Sequence, residues 1–228
     1  MRKPAIDARL ASLADFVRQG AVFADVGTDH AHLPLFLLSE GRISHAVCTD
    51  INEGPLRKAK ENAHALGFFD KITFVLCDGA AQLSGFGLTD VAICGMGGEL
   101  IADIIDRAPF LKSEAINLIL QPMSRPGALR TYLAKNGFKI ERESYSESSG
   151  KYYLGMLVRY TGSTRELDLF SAEFGDFIEE YHTSPAMKKY VDSRLRAIRT
   201  SLEGRMRGGE ECHRELYLLE SARKGGLL

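Results

Sequence analysis

The sequence predicts an α/β fold with a mostly parallel sheet, an antiparallel end to that sheet, and a helical tail. Up to residue 136, short apolar runs alternate with helical patterns. Two β-rich segments then follow one another with no helix between them, and only helical periodicity remains after residue 162. Strands that alternate with helices are typical of a parallel sheet covered by helices on both faces.

Five short apolar runs predict the parallel strands. The two β-rich segments that follow alternate in polarity and predict the antiparallel pair. The parallel runs are AVFADV (21–26), HAVCTDI (45–51), KITFVL (71–76), DVAICG (90–95) and AINLILQP (115–122), and the pair is GFKIERESY (137–145) and KYYLGMLVRY (151–160).

Helical periodicity predicts a helix before the first strand and one after each parallel strand except the third. The first helix has an apolar stripe, and the helix after the second strand ends before Gly67. The predicted helices cover residues 5–18 (stripe Ile6, Leu10, Leu13 and Val17), 32–40, 53–66, 99–107 and 126–136.

The tail predicts two helices that fold back on each other as an antiparallel hairpin. A face of five residues is interrupted at Thr183-Ser184-Pro185, and a seam with nearly heptad spacing then runs to Gly208-Gly209. We therefore predict a first domain over 1–162 and a helical, coiled-coil domain over 163–228. The face is Phe170, Phe174, Phe177, Ile178 and Tyr181, the seam is Val191, Leu195, Ile198, Leu202 and Met206, and Leu216 and Leu219 resume it.

Composition indicates an ordinary soluble globular protein, with 45% hydrophobic and 26% charged residues among 228. No segment has the length and apolarity of a signal peptide or a membrane span, so we expect a cytoplasmic protein. The four cysteines form no C-x-x-C pair, and neither a metal site nor disulfides are expected. We also expect a monomer.

The charge is unevenly distributed although the net charge is only −1. From Pro185 onward there are ten Lys and Arg residues against six Asp and Glu residues. A basic tail suits nucleic-acid phosphates, while an acidic body suits a cationic ligand. A solvated helix surface explains the same charges without a partner.

The segment that follows the first strand, Asp25-Val26-Gly27-Thr28-Asp29-His30, is the strongest local signal. A dinucleotide loop needs three glycines so that backbone N–H groups can approach a pyrophosphate. Here Gly27 stands alone between acids that would repel phosphate. The pattern favours S-adenosylmethionine, which carries a sulfonium and an ammonium group but no phosphate. An ordinary turn between strand and loop is the alternative.

The next strand ends carry residues that suit the rest of such a cofactor. Asp50 can accept hydrogen bonds from ribose hydroxyls, and Asp78, before Gly79, from the adenine amino group. Gly95, Gly97 and Gly98 permit close backbone approach, with Met96 as an apolar wall. Each of these residues can also be explained by structure alone, as an acid at a strand end, a turn residue or a packed side chain.

Three further residues are candidates for the substrate side. Gln121 at the end of the fifth strand can bond a base edge, and Tyr153, with Tyr152, can stack on a base. His30 suits either the cofactor pocket or a proton transfer. A purely structural role is open for each. No Ser-His-Asp elbow and no metal cluster is seen in the sequence, which disfavours a hydrolase or a metalloenzyme.

These motifs resemble the bacterial tRNA (adenine-22-N1)-methyltransferases, a family with a Rossmann-like methyltransferase domain and a helical appendage. The resemblance runs in family order over about residues 1–160, and the tail resembles the family's appendage in architecture. The matching segments are DVGTDHAHLP (25–34), NEGPLRKAKENA (52–63), ICGMGGELI (93–101), LILQP (118–122) and GKYY (150–153).

The resemblance implies methyl transfer from S-adenosylmethionine to N1 of an adenine in the D-arm region of tRNA. It implies that the catalytic cleft and the basic helices contact tRNA. The expected catalytic residues are Asp29, His30, Met96, Gln121 and Tyr153, and the expected cofactor contacts are Asp25, Gly27, Thr28, Asp29, His30, Asp50, Ile51, Asp78, Gly79, Gly95, Met96 and Gly97.

Two other functions are compatible with the same residues. A methyltransferase of another substrate would share every cofactor contact. A non-catalytic RNA-binding adaptor would retain the fold without turnover, and the absence of an Asn/Asp-Pro-Pro-Tyr motif after the fourth strand keeps that reading open.

Overall fold

Seven strands are present in the computed structural model, which describes residues 4–228. They are β1 (Ala21–Val26), β2 (Ile43–Asp50), β3 (Ile72–Leu76), β4 (Asp90–Gly97), β5 (Asn117–Ser124), β6 (Phe138–Ser148) and β7 (Lys151–Tyr160). They form one sheet in the order β3-β2-β1-β4-β5-β7-β6. β1 to β5 are parallel, whereas β7 is antiparallel to both β5 and β6. The predicted sheet is confirmed.

The α-helices of the described residues lie on both faces of this sheet and in the tail, as predicted. Short 3₁₀ segments supplement them at 69–71, 81–86, 109–111 and 176–182. The helices are α1 (Ala8–Ala14), α2 (His32–Ser39), α3 (Glu53–Leu66), α4 (Gly98–Asp106), α5 (Pro126–Lys135), α6 (Leu169–Phe174), α7 (Pro185–Arg207) and α8 (His213–Lys224).

Helix α1 is shorter than the predicted helix over 5–18. It begins after Asp7, whose carboxylate accepts a hydrogen bond from the backbone N–H of Leu10 at 2.9 Å. It ends at Ala14 because the chain must turn to enter β1. Val17 is nevertheless buried, through a turn in which its N–H group donates to the Ala14 carbonyl.

Strand β4 is longer than predicted and takes in the glycine-rich segment that was expected to follow it. β5 also continues, to Ser124, and therefore offers β4 a pairing partner as far as Gly97. The register shifts on either side of Met96, and Gly95 has a positive φ of 78°. Residues 95–97 thus form an irregular strand end, not a free loop.

The buried side chains form two apolar layers, one on each face of the sheet. Alternate residues of a strand point to opposite layers, so that Phe23 faces α1, α2 and α3 while Ala24 faces α4 and α5. The tail joins the second layer through Tyr190, Val191 and Leu218. Its apolar face is therefore covered by the sheet domain. The domain boundary at 162/163 stays a prediction.

The tail differs from the predicted hairpin in two details. Gly175, with a φ of 81°, ends α6 and separates it from the 3₁₀ segment, so the first helical face is divided. The seam of α7 is buried only as far as Ile198, and Met206 is exposed. Beyond Ile198, α7 meets α8 through polar contacts, because the Ser201 hydroxyl and the Arg205 guanidinium both donate to the Glu215 carboxylate. Of the leucines in the middle of α8, Leu218 is buried, Leu219 is half-buried and Leu216 is exposed.

Two buried carboxylates connect the tail to the sheet domain. Glu143 on β6 binds Arg130 of α5, whose guanidinium also donates to the carbonyls of Ala172 and Glu173. The Glu173 carboxylate in turn binds Arg194 of α7, and also Arg214 of α8 at 2.8 Å. This polar network ties α6, α7 and α8 to α5.

Within residues 4–228, no helix is long and apolar enough to cross a membrane.

Candidate active site

A cavity of about 670 Å³ opens at the carboxyl ends of the parallel strands. It lies where the strand order reverses between β1 and β4, the position at which such sheets bind ligands. Its volume is in the usual range of small-molecule sites, about 300–1,000 Å³. The residues predicted to contact the cofactor that line it are Asp25, Gly27, Asp29, Asp50, Ile51, Asp78, Gly79, Gly95 and Met96.

Four predicted residues do not line this cavity. Thr28 is buried beneath it, Gly97 precedes α4, His30 turns aside, and Gln121 lies inside the sheet. Tyr153, on β7, does line it. A position in the cavity wall does not by itself establish a function, so the cofactor and catalytic assignments of all these residues remain predictions.

Asp25 is the buried acid of the site. The residue is only 8% exposed, and its carboxylate accepts a hydrogen bond from the Thr28 hydroxyl at 2.5 Å. Burial raises the pKa of Asp25 to about 6, against the lowering effect of that hydrogen bond, and nearby Asp29 contributes to the increase. Thr28 is therefore connected to the cavity through its hydrogen bond to Asp25.

Gly27 and Met96 meet across the floor of the cavity. Gly27 has a φ of 72°, and a Cβ atom there would lie 2.0 Å from the terminal methyl carbon of Met96. The glycine thus permits both the backbone conformation and the close approach of Met96. Gly98 has a different reason for its small size, because a Cβ atom there would lie 2.4 Å from the Arg125 carbonyl oxygen.

The loop between β1 and α2 is conformationally strained. His30 and Ala31 have φ values of 60° and 56°, in the left-handed region that non-glycine residues rarely adopt. The His30 imidazole lies 2.9 Å from the Asp29 carboxylate, and both side chains are exposed. The side-chain amide of Asn62 in α3 donates to the His30 carbonyl at 3.0 Å. Such strain is common at functional sites and is held by the surrounding contacts.

Asp50 and Asp78 differ in how many carboxylate oxygens are available to accept a hydrogen bond from a ligand. One oxygen of Asp50 accepts the Asn52 backbone N–H at 2.8 Å, which leaves the other for a ligand. Asp78 binds Arg107 of α4 through both oxygens, at 2.7 and 3.4 Å. This contact lowers the pKa of Asp78. An adenine amino group at Asp78 would share the carboxylate with Arg107.

Sequence reasoning missed the contribution of the amino-terminal helix. Asp7, Arg9 and Leu10 line the cavity because α1 packs beside β6 and β7. Arg9 had no local signal, since it stands between apolar stripe positions. Other lining residues that were not predicted include His32, Leu33, Asn52, Cys77, Cys94, Leu100, Ile104, Met123, Ser148 and Ser149.

The lining is strongly acidic. Within the described part of the chain, five Asp side chains and one Arg line the cavity, and no Lys does. This charge suits a ligand with cationic groups and disfavours a pyrophosphate. Residues 4–228 hold no cluster of three His, Cys, Asp or Glu side chains placed to bind a metal ion.

Comparison with known proteins agrees with this geometry. A methyltransferase-domain family model matches residues 6–156. The tRNA (adenine(22)-N(1))-methyltransferase of Bacillus subtilis is 31% identical over 153 residues, which are 67% of this chain and 64% of the relative. The alignment therefore spans slightly less than two thirds of that relative.

Solved structures extend the similarity through the tail. A Streptococcus pneumoniae structure in complex with S-adenosyl-L-methionine, provisionally described as a tRNA (m1A22) methyltransferase, has 33% identity and a TM-score of 0.80. The match covers 94% of this chain and all of that one. The B. subtilis M1A22 tRNA methyltransferase structure has 25% identity and a TM-score of 0.78, covering 98% of this chain and 97% of the other. The chain therefore belongs to the methyltransferase-domain family and, within it, to the bacterial tRNA (adenine-22-N1)-methyltransferases.

Proposed function

We propose that this protein transfers a methyl group from S-adenosylmethionine to N1 of adenine 22 in tRNA. The observation that carries the proposal is the acidic cavity at the switch in strand order, in a chain whose relatives carry this activity in their names. A tRNA substrate also places the protein in the cytoplasm, and that location is part of the proposal.

The residues around the cavity fit the cofactor. S-adenosylmethionine supplies, when bound, a methyl group on a positively charged sulfur. The carboxylates of Asp25 and Asp29 suit its cationic groups, and the free oxygen of Asp50 suits the ribose hydroxyls. Gly79 and Gly95, both with positive φ, leave the backbone open to the ligand.

The substrate adenine would enter between Met123 and Tyr153. Both residues line the cavity, and both also line an adjoining groove of about 440 Å³. Tyr152, Lys151 and Arg196 lie along that groove. A tyrosine ring can stack on an extruded base, while Lys and Arg can bind the flanking phosphates.

The methyl transfer mainly requires that adenine N1 be aligned with the methyl group and the sulfur of the cofactor. Adenine N1 has a free lone pair at neutral pH, so no strong base is needed to activate it. Holding the two reactants in line can supply about 7–11 kcal/mol of the barrier. The product adenine is cationic, and the acidic lining would stabilise that charge. We propose that Asp29 or His30, whose side chains contact each other, contacts the N6 edge of the base; of the two, Asp29 lines the cavity.

The basic tail would supply the RNA-binding surface. Arg196 and Arg199 are exposed on α7. Arg194 and Arg214 instead bind the buried Glu173, so their charges are partly neutralised. The proposed RNA surface is thus the exposed part of α7 that continues the groove. We propose that a monomer is sufficient.

Nucleoside mass spectrometry tests the activity. Purified protein is incubated with tRNA and S-adenosylmethionine carrying a labelled methyl group, and the digest is analysed. Label in 1-methyladenosine that maps to position 22 supports the proposal. Label in another molecule indicates another substrate. Tight tRNA binding without any transfer indicates the adaptor function instead.

An Asp29→Ala variant tests the assignment to the base edge. We expect cofactor affinity to fall several-fold, because Asp29 is one of the two carboxylates that suit the cationic groups of the cofactor. We expect turnover to fall further, by about 10- to 100-fold, because the contact with the base is also lost. Calorimetry and single-turnover rates measure the two effects. Unchanged turnover removes Asp29 from the reaction.

A further inference from the structure

We propose that Arg9 binds the α-carboxylate of S-adenosylmethionine and that Gln121 holds the Arg9 guanidinium in position. This inference rests on the proposed function for the identity of the cofactor. It assigns the cofactor's one anionic group to a residue of α1, an element outside the strand-end motifs.

The charge of the cavity leaves one place for a carboxylate. S-adenosylmethionine has two cationic groups, which suit the acids of the lining, and one carboxylate, which those acids would repel. Among the described residues that line the cavity, Arg9 is the one with a permanent positive charge. Asp7, Asp25, Asp29, Asp50 and Asp78 supply the negative charge around it.

The Arg9 side chain is 23% exposed, and its guanidinium is held by several contacts. Its Nη1 donates to the side-chain oxygen of Gln121 at 2.6 Å, and its Nε lies 3.4 Å from the Asp7 carboxylate. Its central carbon lies 5.7 Å from the centre of the Tyr153 ring. Nη2 has no hydrogen-bond partner within residues 4–228, so it is free to donate to a ligand.

Gln121 has the features of a positioning residue. It is fully buried in β5 beside Cys94, which lines the cavity. Its side-chain oxygen accepts from Arg9, whereas its Nε2 has no partner among the described residues. A buried N–H group without a partner is unfavourable, and an aliphatic side chain would fill this position without one. The hydrogen bond to Arg9 explains why an amide side chain occupies this buried position.

An RNA phosphate is a less suitable partner for Arg9. The guanidinium lies within the cavity, facing the carboxylates, and not on the exposed surface where Arg196 and Arg199 lie. Phosphate in this cavity would also meet the acids that disfavour it.

Calorimetry with two ligands tests the inference. One ligand is S-adenosylmethionine, and the other is its decarboxylated form, S-adenosylmethioninamine, which keeps the sulfonium and the amine. We expect the natural protein to bind S-adenosylmethionine about 10- to 100-fold more tightly, the range of a charge-assisted hydrogen bond. Arg9→Met should abolish this difference by weakening only the carboxylate-bearing ligand.

Three further variants sharpen the test. Arg9→Lys should keep part of the preference, because it retains the charge but not the fork of donors. Gln121→Leu should also reduce the preference in part, with the decarboxylated ligand unaffected. Arg57→Met, at an exposed position on α3, is the matched control and should bind both ligands like the natural protein. Thermal unfolding without ligand checks that each variant is folded.

Three outcomes would overturn the assignment of Arg9, and a fourth would overturn the proposed function. Equal weakening of both ligands by Arg9→Met shows that Arg9 shapes the cavity without contacting the carboxylate. Unchanged affinity for both ligands with a loss of tRNA binding shows that Arg9 meets phosphate. If the natural protein binds neither ligand, the proposed function itself fails. If the natural protein binds S-adenosylmethionine and its decarboxylated form equally well, only the role of Arg9 is refuted.

Discussion

Asp25 combines, in one residue, burial and a charge that the cofactor would need. Its pKa of about 6 means that the folded protein retains a proton that the unfolded chain has already released at pH 5. The contribution of Asp25 to stability is therefore largest at low pH and falls as pH rises through the window from about 4 to 6. Ligand binding should have the opposite dependence, because only the ionised carboxylate attracts a cation.

We predict that S-adenosylmethionine binds about tenfold more weakly at pH 5 than at pH 7, since the Asp25 carboxyl is mostly protonated at the lower value. Asp25→Asn should bind weakly at both pH values. Calorimetry between pH 5 and 8 measures this dependence. A variant that keeps the full dependence would assign the effect to another group.

The contact between Gly27 and Met96 leads to a second prediction at this scale. Gly27→Ala should lower the free energy of unfolding by about 1–2 kcal/mol, because alanine resists a positive φ. It should also weaken cofactor binding, since the new methyl group displaces the Met96 side chain.

Adding Met96→Ala to Gly27→Ala separates the two effects. Removal of the thioether should restore part of the binding without restoring stability, because the strain at residue 27 persists. Chemical denaturation and calorimetry measure the two quantities. Equal recovery of both would contradict the assignment of strain to the backbone.

At the scale of elements, the ion pair between Arg130 of α5 and Glu143 of β6 helps to hold the tail, because the Arg130 guanidinium also donates to the carbonyls of Ala172 and Glu173. Both side chains are 2% exposed or less. The Tyr145 hydroxyl donates to the second oxygen of Glu143 at 2.5 Å, which satisfies the remaining acceptor. Burial together with the Glu143 charge raises the pKa of Tyr145 beyond its usual range. Arg130, Glu143 and Tyr145 therefore form a connected hydrogen-bond network. Loss of one member leaves buried polar groups of the others without a partner.

We predict that Arg130→Met lowers the free energy of unfolding by about 3–5 kcal/mol, because it leaves a buried, unpaired carboxylate at Glu143. Lys58→Met, which removes an exposed partner of Glu61, is the control and should change it by at most about 1 kcal/mol. Urea unfolding compares the two. Equal, small losses would show that Glu143 is neutral or hydrated.

Element boundaries were less predictable than element types. The strands and the main helices follow from local periodicity, which each segment contains. The end of α1 and the length of β4 depend on neighbours: a turn into β1 in one case, and pairing with an extended β5 in the other. The break at Gly175 was missed because an apolar helical face continues in sequence on both sides of it.

At the scale of the whole molecule, the acids of the cavity could be predicted and the Arg9 contact could not. Asp50 is the last residue of β2 and Asp78 follows β3 closely, and the carboxyl ends of parallel strands meet at one edge of the sheet. Arg9 reaches the same cavity only because α1 packs beside the antiparallel pair, a long-range contact with no local pattern. The Arg130–Glu143 pair was missed for the same reason.

The exposed charges of α7 give a prediction for RNA binding. An Arg196→Ala, Arg199→Ala double variant should bind tRNA more weakly and lower the slope of log affinity against log salt by about one to two. Arg57→Ala, on the opposite face of the sheet from the tail, should keep both values. Filter binding at several salt concentrations measures the slope. An unchanged slope would place the RNA elsewhere.

Met123 and Tyr153 line both the cavity and the adjoining groove. A side chain that moves for one occupant moves for both, so the two equilibria are linked. Linkage is reciprocal: whatever factor RNA exerts on affinity for the methyl donor, the donor must exert on affinity for RNA. Two tyrosine rotamers, differing in which compartment they narrow, would be enough to set the order in which reactants arrive and products depart.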